Sequence, residues 1–279
     1  MAEIINKIIK DLKKNLIHNK NIFSLTIVGS FSDPKKPLAV FNDLDIVIIC
    51  KNFSSVFKRN LEEIITQLKN DYSSDSIGIT HTFKIGPIKI PSKKSRTIML
   101  HFLIYTKNGY KIYESPLTRF SFQHYKPLFG KSLKKINKVS SISINDLFNE
   151  IDGIPAIKQW ITKKEAFYID PSSGKVKIVK IKLKGKLYLE VIFYSILTLS
   201  SNMLRTIGIY AGTNLGMCEK FDEKFPEIKN NSWLKIICRF KKKLRMNHKF
   251  NNKEIKNIIV KSKRFIEECE KYLSSDKKK

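Results

Sequence analysis

The stretch LTIVGSFSDPKKPLAVFNDLDIVII, residues 25–49, has a Gly-Ser pair at the end of one apolar segment and two aspartates at the start of the next. Side chains alternate between the two faces of an extended strand, so Asp43 and Asp45 project from one face and the intervening Leu44 from the other. Two carboxylates this close repel each other unless a cation lies between them. Hard oxygen ligands favour a divalent ion such as Mg²⁺. The two aspartates therefore predict a metal site at the start of a strand.

Apolar residues around this stretch predict an alternation of helices and strands. Spacings of three and four residues are typical of the apolar face of a helix, whereas short β-branched segments are typical of strands. The expected elements are helices at residues 2–18 and 57–68, and strands at residues 23–28, 44–50, 77–90 and 96–106, the last two joined by the polar turn PSKKS. The first 135 residues therefore predict a sheet with flanking helices, of the α/β or α+β class.

The pattern changes after residue 135. A helical stretch that breaks at Gly153 and Pro155 is followed by an alternating stretch, FYIDPSSGKVKIV, which predicts a small hairpin. Beyond it the apolar spacing predicts only helices, at residues 186–208, 232–246 and 252–273. We therefore expect three parts: residues 1–135, a connecting segment at 136–184, and a helical domain at 185–275.

The charge of the chain is strongly positive. It carries 53 Lys and Arg residues against 25 Asp and Glu residues, a net charge of +28. Such an excess favours negatively charged partners, including nucleic acid, nucleotides, an acidic protein or an anionic membrane surface. A coding sequence rich in A and T would give the same excess of lysine, together with the abundant Ile and Asn. The charge therefore admits RNA as a partner without requiring it.

The apolar segments and the cysteines indicate a cytoplasmic protein. The N-terminal sequence MAEIINKIIKDLKKNLIHNK intersperses charge among its apolar residues, unlike a signal peptide. The most apolar stretch, residues 187–210, is about long enough to span a bilayer, but Glu190 and Arg205 within it favour a buried helix in a soluble protein. The cysteines lie far apart and form no C-x-x-C pair, as expected of thiols in a reducing compartment: Cys50, Cys218, Cys238 and Cys269. We expect no membrane association.

Two motifs resemble those of the nucleotidyltransferase superfamily, the DNA polymerase beta-like group that includes aminoglycoside adenylyltransferases and minimal nucleotidyltransferases. The first is the order helix, strand, Val28-Gly29-Ser30, spacer, and then Asp43-Leu44-Asp45 followed by apolar residues. The second and weaker one is YKPLFGKSL, residues 125–133, which is similar to an L-[YF]-G-[KR]-x-L turn in adenylyltransferase-like members. The resemblance covers the first half of the chain.

This resemblance implies an α+β fold, with a nucleotidyltransferase-type mixed sheet and flanking helices, and the apolar spacing adds a C-terminal helical domain. It also implies Mg²⁺-dependent transfer of a nucleoside monophosphate from a nucleoside triphosphate, ATP included, to a hydroxyl group on a small molecule, a protein or RNA. Two Mg²⁺ ions would be held by Asp43 and Asp45, which are thereby catalytic. Gly29 and Ser30 would bind the triphosphate, with close backbone approach at the glycine.

The loop after the Gly-Ser pair departs from the family. Members often continue there into a helix whose N-terminus helps bind phosphate. Pro34 and Pro37 interrupt any long helix in this chain. Lys35 and Lys36 of the same loop are candidates to add positive charge near the phosphates.

Catalytically active members of the superfamily commonly carry a third carboxylate on a later strand, and this chain shows no evident equivalent. His101 holds the corresponding position in the stretch RTIMLHFLIYT. It is a candidate catalytic residue, as a metal ligand or a base, and a structural residue on the competing interpretation. Glu190 of the helical half is the alternative third acid.

The missing acid leaves a second hypothesis for the function. A catalytically inactive protein with the nucleotidyltransferase fold would bind nucleic acid or a partner protein through its basic surface. Metal-dependent nucleotide binding distinguishes the two hypotheses.

Overall fold

The structure is a computed structural model that describes residues 2–32, 41–86, 96–150, 153–170, 177–210, 214–228 and 232–276. The chain divides into two compact units, one of Met1–Glu114, Ser121–Lys138 and Phe167–Val179, the other of Ser115–Phe120, Val139–Ala166 and Lys180–Lys279. The strands are β1 (Ile22–Val28), β2 (Phe41–Cys50), β3 (Ile77–Thr82), β4 (Arg96–Thr106), β5 (Pro127–Gly130), β6 (Glu165–Asp170) and β7 (Lys177–Lys182). The helices are α1 (Ala2–Leu16), α2 (Ser55–Tyr72), α3 (Lys107–Tyr113), α4 (Pro116–Phe122), α5 (Leu133–Ile136), α6 (Ile144–Asn149), α7 (Ile154–Lys163), α8 (Gly185–Thr206), α9 (Asn214–Lys224), α10 (Ser232–Arg245) and α11 (Asn252–Asp276).

A mixed sheet forms the centre of the first unit. Its strand order is β3-β4-β2-β1-β5. Strand β1 pairs antiparallel with β2 and with β5, whereas β4 pairs parallel with β2 and with β3. The α+β class, a mixed sheet with flanking helices, is confirmed.

Helices α1 and α2 pack in one apolar cluster with a face of this sheet. Their buried residues recur every three or four positions, as an amphipathic helix requires. Ser54 caps α2, because its side chain accepts a hydrogen bond from the Phe57 backbone N–H. The cluster contains Ile5, Ile8, Leu12 and Leu16 of α1, Phe57, Leu61, Ile65 and Leu68 of α2, and Leu25, Ile46, Leu100 and Phe102 of the strands.

Strand β2 is longer than the sequence predicted. It starts at Phe41 and pairs with β4 through ten positions, from Phe41 opposite Thr97 to Cys50 opposite Thr106. The sequence suggested a start at residue 44, because Asn and Asp are depleted in strands. Asp43, which precedes the predicted start, therefore lies within the paired strand together with Asp45.

The connection between β3 and β4 also differs from the prediction. A short polar turn would make these neighbours antiparallel, but they are parallel, which requires a crossover. Strand β3 ends at Thr82, and Ile85 then forms an isolated bridge with Ile169. The predicted PSKKS turn lies outside the described residues.

Helices dominate the second unit. The predicted break at Gly153 is confirmed, with Pro155 in the first turn of α7, where its missing N–H is harmless. The predicted hairpin, most of which belongs to the first unit, forms from strands β6 and β7, and its turn lies outside the described residues. Helix α9 was not predicted.

Helix α8 is the long apolar helix whose length and composition would allow it to cross a membrane. However, 72% of its most apolar stretch is buried inside the protein, as predicted for a core helix.

Candidate functional site

The two aspartates lie on one face of β2, next to the end of β1. Asp45 pairs with Val28, the last residue of β1, so the Gly29 turn begins beside it. On the other side Asp45 pairs with His101 of β4. Asp43 is buried, and the Asp45 side chain is 17% exposed. The structure thus brings together four residues predicted for the site, Asp43, Asp45, His101 and Gly29.

His101 is held by two hydrogen-bond acceptors. Its Nδ1 lies 2.7 Å from Oδ1 of Asp45, and its Nε2 lies 2.8 Å from the backbone carbonyl oxygen of Lys84. A backbone carbonyl can only accept, so Nε2 donates to Lys84, while Nδ1 shares a hydrogen bond with the Asp45 carboxylate. His101 and Asp45 thus form a hydrogen-bonded pair with little solvent contact. Both ring nitrogens are engaged by the protein and neither is directed at a metal or a substrate.

Gly29 packs directly against Asp45. Its φ is +71°, and a Cβ at this position would lie 2.7 Å from Oδ2 of Asp45. A side chain would have to displace the carboxylate, so only glycine fits both the left-handed backbone and the close approach. The turn continues as a 3₁₀ helix, Gly29–Ser32. The side chain of Ser30, like Pro34, Lys35, Lys36 and Pro37, lies outside what the structure describes.

The segment after β3 completes the support of His101. Lys84 supplies the carbonyl that accepts from His101, and its ammonium lies 4.6 Å from the ring centre of Tyr168. Ile85 exchanges two backbone hydrogen bonds of 2.8 Å with Ile169 of β6. Strand β6 therefore holds the backbone at Ile85 in place, next to the Lys84 carbonyl that bonds to His101. Sequence reasoning missed this contribution, because a backbone carbonyl has no signature in the residue type that carries it.

Gly130 explains the weaker motif in structural terms. The motif forms β5, which pairs with β1 at the edge of the sheet. Gly130 has a φ of +79°, and a Cβ there would lie 2.2 Å from the carbonyl oxygen of Phe23. The glycine of this motif is required where the edge strand leaves β1.

Glu190, the alternative third acid, lies on α8 in the second unit. Its carboxylate is 3.7 Å from the guanidinium of Arg245, and both side chains are 16% exposed. The pair links α8 to α10. A role for Glu190 in the site stays a prediction.

Within the described residues, no group of three or more His, Cys, Asp and Glu side chains is arranged to hold a metal ion. Asp43 and Asp45 are thus candidate ligands as a pair. The remaining ligands would come from water and from substrate oxygens, which is how Mg²⁺ is commonly bound.

Comparison with known proteins gives a structural likeness. No family model matches the chain, and no curated protein matches it. Among solved structures it is similar to the spectinomycin adenyltransferase AAD(9) from Enterococcus faecialis, solved with ATP and spectinomycin. The TM-score is 0.53 at 14% sequence identity, and the match covers 97% of this chain and 99% of that one. The likeness shows that the two proteins share the nucleotidyltransferase fold.

Proposed function

We propose that the chain is a nucleotidyltransferase, which moves a nucleoside monophosphate from a nucleoside triphosphate to a hydroxyl group of an acceptor. One observation carries the proposal: two carboxylates share a face of β2, and the Gly29 turn packs against one of them. The fold around them is that of an adenyltransferase solved with ATP. A cytoplasmic location, where triphosphates and Mg²⁺ are abundant, belongs to the same proposal.

The donor set suits Mg²⁺. Asp43 and Asp45 supply hard oxygen ligands on one face of a strand, and two protein carboxylates with substrate phosphates are a usual Mg²⁺ environment. Bound Mg²⁺ would neutralise charge on the triphosphate and on the leaving pyrophosphate. The two ions expected from the family resemblance remain part of the proposal.

The residues around the aspartates would keep them in place. His101 would fix the orientation of Asp45 through a hydrogen bond, and the Lys84 carbonyl fixes the orientation of His101. His101 is therefore a positioning residue here rather than a general base, because both of its nitrogens are engaged. Gly29 leaves room for Oδ2 of Asp45 and brings its backbone close to that carboxylate. Together with Ser30, it would bind the triphosphate.

We propose a small, hydroxyl-bearing molecule as the acceptor. The adenyltransferase with the shared fold was solved with the small molecule spectinomycin, and its match spans nearly the whole of both chains. The net charge of +28 disfavours a polycationic acceptor and favours a neutral or anionic one.

The test supplies each labelled nucleoside triphosphate with Mg²⁺ and a panel of acceptors: aminocyclitols, neutral and anionic sugars, total RNA and cell extract. We expect label on a small molecule, with one pyrophosphate released per transfer. Asp43→Asn should abolish transfer, whereas Asp75→Asn, at an exposed acid between α2 and β3, should not. Equal release of pyrophosphate by the wild type and Asp43→Asn would overturn the proposal.

The histidine at position 101 favours one second candidate, an inactive protein with this fold that binds nucleic acid or a partner protein. A histidine in place of a third carboxylate lowers the negative charge available for metal ions. Calorimetric titration with ATP, with and without Mg²⁺, separates the two candidates. The inactive protein would show no Mg²⁺-dependent binding.

A further inference from the structure

Two cysteines of the helical unit approach each other closely. Cys218 of α9 and Cys238 of α10 are 20 residues apart in the chain, and their sulfur atoms are 3.5 Å apart, with one thiol donating to the other. Both are free thiols in the structure. We infer that this pair is a redox-active dithiol, which a low-molecular-weight disulfide oxidises reversibly to an intramolecular disulfide. The inference is independent of the proposed function.

The two thiols differ in exposure in the way that such a reaction needs. Cys238 is partly exposed, whereas Cys218 is only 1% exposed. A small disulfide therefore reaches the sulfur of Cys238 first. Cys218 is shielded from the reagent but lies in contact with Cys238, so it is placed to attack the mixed disulfide from within the protein.

Neighbouring charges support the same order of events. The hydrogen bond from Cys218 and the ammonium of Lys241 lower the pKa of Cys238. The bond to Cys238, burial and the nearby Asp222 raise the pKa of Cys218. Lys235 opposes the effect of Asp222 but pairs with that carboxylate at 2.8 Å. Cys238 is thus the thiol that ionises first, and the thiolate is the form that attacks a disulfide.

The other two cysteines lack these features and serve as internal controls. Cys50 is fully buried and donates its S–H to the carbonyl oxygen of Tyr105. Burial raises its pKa to about 11. Burial likewise raises the pKa of Cys269, which is also inaccessible. Neither thiol should react with a small disulfide while the protein stays folded.

The reaction balances with one named reagent, written RSSR. The thiolate of Cys238 attacks one sulfur of RSSR, which forms a mixed disulfide and releases RS⁻. Cys218 then loses its proton, and its thiolate attacks Sγ of Cys238, which forms the protein disulfide and releases a second RS⁻. Two protein thiols lose two electrons and two protons, and RSSR becomes two RSH. The bond would tie α9 to α10.

The experiment uses the full-length reduced protein with oxidised glutathione, followed by alkylation and peptide mass spectrometry. We expect the loss of two of the four thiols, a peptide pair linked through Cys218 and Cys238, and full reversal by dithiothreitol. Cys50 and Cys269 should stay free. A stable glutathione adduct on Cys238 without the internal bond, or equal modification of all four cysteines, would overturn the inference.

Single variants test the order of attack. Cys218→Ser should trap glutathione on Cys238, and Cys238→Ser should show neither the adduct nor the internal bond. Since a buried hydroxyl at position 218 can impair folding, Cys218→Ala provides the same test without it, with circular dichroism as the folding check. An adduct on Cys218 in a folded Cys238→Ser protein would contradict the assigned order.

Discussion

A buried histidine of the first unit is satisfied by distant partners, whereas two buried serines on one helix of the second unit are satisfied by local ones. His101 is held by Asp45 and by the Lys84 carbonyl, which are 56 and 17 residues away in the chain. Ser195 and Ser200, both fully buried on α8, each donate to the carbonyl oxygen four residues earlier.

The difference lies in what must fold before the polar group is satisfied. A serine that bonds back to its own helix is satisfied as soon as the helix forms, so its burial requires no special arrangement. The His101 contacts exist only when β2, β4 and the segment after β3 are all in register. Burying polar groups costs desolvation, so a buried polar pair is weak evidence for stability. The contacts of His101, which join three distant segments, are therefore better explained by a role in the candidate site than by a contribution to the stability of the fold.

The largest effect should come from the aspartates themselves. Asp43→Asn and Asp45→Asn should each lower turnover at least about 100-fold, because each removes one of the two proposed Mg²⁺ ligands and with it charge stabilisation in the transition state. The measurement is label transfer at saturating triphosphate. Asp75→Asn should match the wild type, and a variant of either site aspartate that retains full turnover would refute the assignment.

His101 should follow, with effects on both turnover and stability. We expect His101→Asn to lower turnover about 10- to 100-fold, as loss of a residue that orients a metal ligand does. The free energy of unfolding should fall by about 3 kcal/mol, because a buried pair loses one partner. Turnover against Mg²⁺ concentration and urea unfolding measure the two effects.

The Mg²⁺ dependence distinguishes positioning from simple packing. If His101 positions Asp45, His101→Asn should need more Mg²⁺ for half-maximal turnover. An unchanged Mg²⁺ dependence with lower stability would make the histidine structural, and would leave Glu190 as the candidate third acid.

Gly29→Ala should come next. Alanine at φ +71° carries backbone strain of about 1–2 kcal/mol, and its Cβ would meet Oδ2 of Asp45 at 2.7 Å. Gly185→Ala is a matched control, because Gly185 has φ +51° with nothing within 4 Å of a Cβ. Both variants should lose similar stability from strain, but only Gly29→Ala should lose turnover, by about 10-fold or more. Equal turnover in the two variants would remove the link between the glycine and the site.

The sequence predicted the sheet unit through its short-range patterns. The apolar spacing of α1 and α2 and the β-branched content of β1 and β2 were enough to place those elements. Asp43 and Asp45 were proposed for the site because their spacing suits a metal ion, and Gly29 was proposed from the family resemblance. The role of Lys84 could not be predicted, since it depends on a backbone atom and on the parallel pairing of β3 with β4, which residue types do not specify.

Helix α9 shows a different limit. Its buried residues Met217, Cys218 and Phe221, with Phe225 just beyond it, fall on one helical face. The spacing was present in the sequence, but Gly216 and the interspersed charges weakened it. The contact between Cys218 and Cys238 was equally hidden, because a pair of thiols 20 residues apart meets only after α9 packs against α10.

The smallest effect should come from Ser195. Ser195→Ala removes a hydrogen bond of 2.7 Å to the Val191 carbonyl oxygen, yet that carbonyl keeps its place in the helical backbone ladder. Alanine has the higher helix propensity, which offsets part of the loss. The free energy of unfolding should therefore change by less than about 1 kcal/mol, and turnover should not change. Urea unfolding of Ser195→Ala and His101→Asn side by side tests the comparison directly. If the two variants lose the same free energy of unfolding, the sequence separation between a buried polar group and its partners does not distinguish residues of the candidate site from residues that only stabilise the fold.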